Sequence, residues 1–164
     1  MAVVIVTTAG AMDANCYCDI PTAEAYFQTR GWVANWANAT PDQQTAALIW
    51  ASRLLDLCWW YGVKTNYLSP MRWPRVGLCD RDGFIINYAT IPLFIVQATA
   101  EWALALLGED RTLDEGGLVQ YGGKVGPITD PNSYARKPMP DSVRDMISPY
   151  LANLPAGSGR VGRM

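Results

Sequence analysis

The stretch from Ala89 to Leu107, ATIPLFIVQATAEWALALL, carries a single charge, Glu101. A helix built from it has no face to give to water, so other elements must surround it. Pro92 suits the first turn, where its missing N–H is no loss, and Gly108 suits the stop, which predicts a helix from Pro92 to Leu107. Phe94, Ile95, Ala98, Trp102, Ala105 and Leu106 cover more than one stripe of it. This marks it as the central helix of a bundle. Pro92, Gln97, Thr99 and Glu101 interrupt the run, which is marginal in length for a bilayer, so no membrane span is expected.

The remaining elements must supply that cover. Thr40-Pro41-Asp42-Gln43 is a capping box with Pro at the first helical position, and it opens a helix expected to reach Tyr61, where Gly62 stops it. Ala47, Ala51, Leu54, Leu55 and Cys58 recur along it at three- and four-residue spacing and define one buried face, with Gln44, Arg53 and Asp56 elsewhere. A shorter helix of about two turns is expected from Thr22, whose hydroxyl can cap it, to Gly31. Pro140 to Leu151 predicts a last helix cut by Pro149.

Between the second and third helices, residues 62 to 90 are rich in Gly, Pro and Asn and predict an extended excursion. Asp82-Gly83, between Val76-Gly77-Leu78 and Phe84-Ile85-Ile86, is a hairpin dipeptide. MAVVIVTTAG predicts a short strand rather than a signal peptide, having no basic residue before its apolar run. Leu118 to Thr129 has Gly-Gly amid alternating apolar residues and predicts a weak two-stranded ribbon. The expected fold is mainly α: a small bundle of about four helices with an extended hairpin excursion and a short β ribbon. One domain spans residues 1–152, and 153–164 form a flexible basic tail.

Composition narrows the chemistry. With no His among 164 residues, the commonest general base, the Ser-His-Asp and Cys-His pairs and imidazole zinc sites are all missing. No carboxylate pair is marked by spacing and no Cys or Ser adjoins an activator, so no enzyme is expected. Cys16, Cys18, Cys58 and Cys79 form no CxxC pair and read as reduced thiols, with no metal and no cofactor. Gly122-Gly123-Lys124-Val125-Gly126 lacks the spacing of a phosphate-binding loop, and Asp80-Arg81-Asp82-Gly83 lacks the further ligands of a calcium loop; both read as turns.

A net charge of −2 and a pI near 5.0 exclude a generally basic surface, so any nucleic-acid role must be local. Residues 1–60 sum to −3, 61–100 to +2, 101–135 to −4 and 136–164 to +3, an alternation suited to complementary protein contacts. One aromatic and basic cluster stands out: Trp59, Trp60, Tyr61, Arg72, Trp73 and Arg75. Such a set can stack bases and neutralise phosphates of a single strand, or form the hot spot of a protein interface. The acidic balance of the chain favours the interface. Charged residues at only 17%, with seven Trp and eight Tyr, suggest surface completed by other chains.

Several segments together resemble a known family. CYCDIPTAEAYFQTRG (Cys16 to Gly31), ATPDQQTAALIWASRLLD (Ala39 to Asp56) and SPMRWPRVGLCDRDGFIINYATIP (Ser69 to Pro92) are similar to the head-to-tail connector, or head-completion adaptor, proteins of tailed bacteriophages, whose members often carry a DnaT-like single-stranded-DNA-binding label. Tyr17, Tyr26 with Phe27, Ala46 to Leu48, Leu55 with Asp56, Trp73 to Gly77, Asp80 to Gly83 and Ile91 with Pro92 match the family pattern. The resemblance covers about residues 16 to 128, and Trp-Pro-Arg is its most specific part.

The resemblance implies a virion protein of the neck, assembled in the host cytoplasm as a homo-oligomeric, twelve-fold ring on the portal. A stopper or tail-completion protein would bind its far side, and double-stranded genomic DNA would pass through without sequence-specific binding. Trp59, Trp60, Tyr61, Arg72, Trp73 and Arg75 would then serve a subunit or partner interface. Tyr150, Leu151, Leu154, Arg160 and Arg163 would form the portal-docking tail. The alternative is a small single-stranded-DNA-binding protein of phage replication.

Overall fold

The computed structural model describes residues 3–108 and 139–152. They are mainly helical: five α-helices and one two-stranded antiparallel sheet. The helices are α1 (Ile20–Arg30), α2 (Ala34–Ala37), α3 (Pro41–Asp56), α4 (Leu93–Gly108) and α5 (Asp141–Ile147), the last continued by a 3₁₀ turn over Ser148–Tyr150. β1 (Val63–Lys64) pairs with β2 (Arg75–Val76), Val63 facing Val76 and Lys64 facing Arg75.

α4 is the central helix that its composition requires. Every residue from Ala98 to Leu104 is buried, so the helix is covered around its full circumference. α3 is its main neighbour, with α5, α1 and α2 closing the other sides. Its one charge is held in place: the Glu101 carboxylate accepts from Arg30 Nε and Nη2 (2.5 and 3.1 Å) and from the Tyr26 hydroxyl at 2.9 Å. A lone buried carboxylate would be costly, and here a two-pronged guanidinium from α1 offsets it. Burial and the Glu101 carboxylate push the Tyr26 hydroxyl up to about 12.

α3 begins as its capping box dictates. Thr40 N–H donates to Gln43 Oε1 at 2.9 Å, and Gln43 N–H donates back to Thr40 Oγ1 at 3.3 Å. It buries Gln44, Ala47, Leu48, Ile49, Ala51, Ser52 and Leu55, so Gln44, expected away from the buried face, is enclosed as well. It stops at Asp56 rather than at Tyr61 because the Trp60 indole folds back and donates Nε1–H to the Leu55 carbonyl at 3.1 Å. That bond satisfies one of the last carbonyls and turns the chain out of the helix.

α1 starts earlier than its Thr22 suggests. Asp19 is the cap, its carboxylate accepting Thr22 N–H at 2.9 Å, and Pro21 sits harmlessly in the first turn. The helix has 11 residues, about three turns. α2 is an element that the sequence reading did not anticipate. It places Trp36 against Phe27, ring centres 5.0 Å apart, and the Trp36 carbonyl accepts from Gln44 Nε2.

Residues 3–10 do not form the expected strand; they are irregular, held by Val6 N–H to Asn15 Oδ1 and Asn15 N–H to Val6 O. The hairpin turn at Asp80–Phe84 is present, with Cys79 bridged to Ile85 and the Asp80 carboxylate accepting from Asp82 and Phe84 N–H. The ribbon expected at Leu118 to Thr129 lies outside the described residues, and the one sheet among them is β1–β2. No helix among the described residues is long and apolar enough to cross a membrane.

Candidate nucleic-acid interface

The aromatic and basic cluster of the sequence is brought together in the structure, and it divides into a buried layer and an exposed one. Residues 59–61 run antiparallel to 150–152: Tyr61 N–H donates to Tyr150 O and Ala152 N–H to Trp59 O, each at 2.9 Å, around a bridge between Trp60 and Leu151. Side chains alternate along an extended segment. Trp60 is turned inward and buried, while Trp59 and Tyr61 on either side are 70% and 53% exposed.

The inward layer is an aromatic ladder. Trp60 meets Trp73 edge-on at 5.3 Å, Trp73 meets Phe94 edge-on at 5.5 Å, and Phe94 stacks on Tyr150 at 4.2 Å. At 1% exposure Trp73 cannot stack on a base; it is the keystone between the loop and α4. Tyr150 and Leu151, read from the sequence as part of a docking tail, are core residues of the same layer. Leu154, Arg160 and Arg163, with the rest of the proposed tail, lie outside the described residues.

Arg75 is the fastener of this face. Its Nε donates to Tyr61 O at 2.7 Å, Nη2 to Gly62 O at 2.6 Å and Trp60 O at 3.4 Å, and Nη1 to Arg72 O at 3.2 Å. A planar fork with five N–H groups is the side chain that can gather four carbonyls at once. Gly62 completes the fit. It has φ of +71°, and a Cβ there would stand 2.5 Å from Val76 O. Lys64 is also engaged, Nζ donating to Ser69 O, whereas Arg72 and Arg81 are exposed.

Arg72 is set by residues that the sequence reading gave no role. The Tyr17 hydroxyl accepts Arg72 N–H at 3.0 Å and Trp73 N–H at 3.1 Å, and Asp56 Oδ1 accepts Arg72 N–H at 3.0 Å. The same hydroxyl donates to Asp56. Burial and the neighbouring Asp56 charge raise the Tyr17 hydroxyl far above its ordinary value. Burial also raises Asp56, against the pull of its hydrogen bonds from Tyr17 and Arg72. Their signal in the sequence was a Tyr near the start and a Leu-Asp pair at the end of α3, which gives a pattern but no contact. The Trp73–Pro74 peptide that follows is cis.

The face therefore offers two outward aromatic rings, the Arg72 guanidinium and the positive charge of Arg75, which can accept flat apolar faces and phosphates. It has no catalytic constellation among the described residues, nor any group of His, Cys, Asp and Glu able to hold a metal ion. Cys16, Cys18 and Cys58 are free thiols raised by burial.

A family described as "Putative DnaT-like ssDNA binding protein" matches the chain over residues 1–164. No curated protein and no solved structure matches it. The family match overturns the head-to-tail connector reading, and with it the twelve-fold ring, the portal and stopper contacts and the double-stranded DNA in a channel. It backs the single-stranded-DNA alternative instead. Trp60, Trp73, Tyr150 and Leu151, expected at partner contacts, are buried within the chain.

Proposed function

Because the chain belongs to the family of DnaT-like ssDNA-binding proteins, we propose that it binds single-stranded DNA on the face built by Trp59, Tyr61, Arg72 and Arg75. The observation that carries this reading is the alternation at residues 59–61, which turns two aromatic rings outward on either side of a buried Trp60. Two residues of extended chain separate the rings by about 6.6 Å, so each ring can take its own base. Stacking is indifferent to base identity and requires unpaired bases, so a single strand is preferred over a duplex and sequence is read weakly.

Arg75, bonded to the Tyr61 carbonyl, and the exposed Arg72, whose carbonyl Arg75 also holds, supply the phosphate contacts. With so few cations, the electrostatic share is small and the aromatic share dominates. One or two neutralised phosphates give a slope of log K on log salt of roughly −0.7 to −1.4. The role is binding alone, with no catalytic step.

Fluorescence anisotropy with a labelled oligothymidylate, competed by unlabelled single strand or duplex, tests the reading. Preferential displacement by single strand and the shallow salt slope are expected. Equal displacement by duplex, or no binding at low salt, overturns it.

A further inference from the structure

Away from this face, α3 carries a second surface. Its outer stripe, Asp42, Thr45, Ala46, Ile49, Trp50 and Arg53, lines an open groove of about 450 Å³ bordered by Val3. The opposite stripe is buried on α4, and of this one only Ile49 is buried in the core, leaving Asp42, Ala46, Trp50 and Arg53 exposed and Thr45 half-buried among the described residues. Trp50 is 41% exposed there. Among the described residues neither Asp42 nor Arg53 forms an ion pair.

The stripe is self-complementary when reversed. Asp42 opens it and Arg53 closes it, about three turns later and only about 20° around the helix. Between them, small Thr45 mirrors large Trp50 about the same midpoint. Turning a second α3 end for end brings acid to base at both ends and large to small in the middle.

We propose that α3 is a two-fold self-association surface, occupied by α3 of a second copy running antiparallel to it. Asp42 of each copy meets Arg53 of the other, and Trp50 lies over Thr45, with Ala46 at the centre of the contact. Charge pairing sets the direction of approach, and burial of the two Trp50 rings supplies affinity. Exposed Val3 extends the apolar rim. The contact is isologous and closes at two copies, so it builds no ring. One helix face with its rim is a small interface, which places the dimer in the micromolar range.

Sedimentation velocity on the full chain without DNA, from low micromolar to submillimolar concentration, tests this independently of the nucleic-acid reading. Wild type shifts from monomer to dimer as concentration rises. Asp42→Arg and Arg53→Asp each place like charges together and weaken the dimer at least tenfold, and Trp50→Ala does the same. The double variant Asp42→Arg/Arg53→Asp restores association to within about threefold of wild type. Helical circular dichroism monitors folding, and rescue by the double variant cannot come from a folding defect in a single one. Wild type monomeric throughout, a dimer indifferent to the single reversals, or no rescue by the double variant overturns the proposal.

Discussion

The hydroxyl of Tyr17 donates to the carboxylate of Asp56 and accepts the backbone N–H groups of Arg72 and Trp73. One buried oxygen thereby joins the segment before α1, the last residue of α3 and the loop that carries the candidate phosphate contact. Tyr17→Phe removes the acceptor from Trp73 N–H and the donor from Asp56 while keeping the ring. A loss of roughly 2–3 kcal/mol is expected in urea unfolding with unchanged m-value. Single-strand affinity falls as well, because the backbone of Arg72 loses one of its two anchors.

Asp56 should make stability depend on pH in a direction opposite to that of a salt-bridged carboxylate. Burial raises its pKa in the folded chain, so the folded state holds the proton more tightly than the unfolded state does. The contribution of this group is therefore most favourable below the ordinary carboxylate value of 3.8. It declines as pH rises from there through the folded-state pKa. Asp56→Asn keeps an acceptor for Tyr17 and Arg72 but does not titrate. The stability of wild type relative to Asp56→Asn, measured by chemical unfolding from pH 3 to pH 8, is expected to fall with rising pH. A rise with pH contradicts the assignment.

Aromatic substitutions should separate by layer. Trp59→Ala and Tyr61→Ala remove exposed rings and are each expected to cost about 1–3 kcal/mol of single-strand binding with little effect on unfolding. Trp73→Ala empties the middle of the aromatic ladder and is expected to cost about 3–5 kcal/mol of stability. Titration of the same oligonucleotide and a urea melt of each variant give the comparison.

Arg75→Lys distinguishes a fastener from a simple cation. The charge is retained, but an ammonium cannot reach four carbonyls in the plane of a guanidinium. Stability is expected to drop by roughly 1.5–3 kcal/mol. Binding is expected to weaken even where the protein is fully folded, because the 60–62 segment that presents Tyr61 loosens. If phosphate neutralisation were the whole of its role, Lys would preserve affinity.

The parts of this fold that depend on neighbours in sequence were readable. The Thr40–Gln43 capping box, the all-round burial of α4 and the Asp80–Phe84 turn each arise from a few consecutive residues and appear where expected. The start of α1 was misjudged because Asp19 and Thr22 both carry a capping oxygen, and only the backbone decides between them. The end of α3 was misplaced because its stop is a tertiary event, the Trp60 indole reaching the Leu55 carbonyl.

The candidate site was legible as a composition and illegible as a partition. Nothing in Trp59-Trp60-Tyr61 says which ring faces inward; that is settled by pairing with Leu151, far away in the chain. The role of Arg75 was hidden for the same reason, since its four acceptors are backbone carbonyls and every residue has one. Tyr17 and Asp56 lie far apart in sequence, and their meeting depends on the packing of the whole bundle.

The bridge between Trp60 and Leu151 has a consequence for the order of events during synthesis. A ribosome delivers Trp59, Trp60 and Tyr61 long before Tyr150, Leu151 and Ala152. Until those late residues emerge, Leu55, Trp73 and Arg75 hold this segment from one side, and the pairing that completes the setting of Trp59 and Tyr61 is missing. A truncated product lacking the late segment would present Trp59 and Tyr61 without the strand pairing that completes their placement.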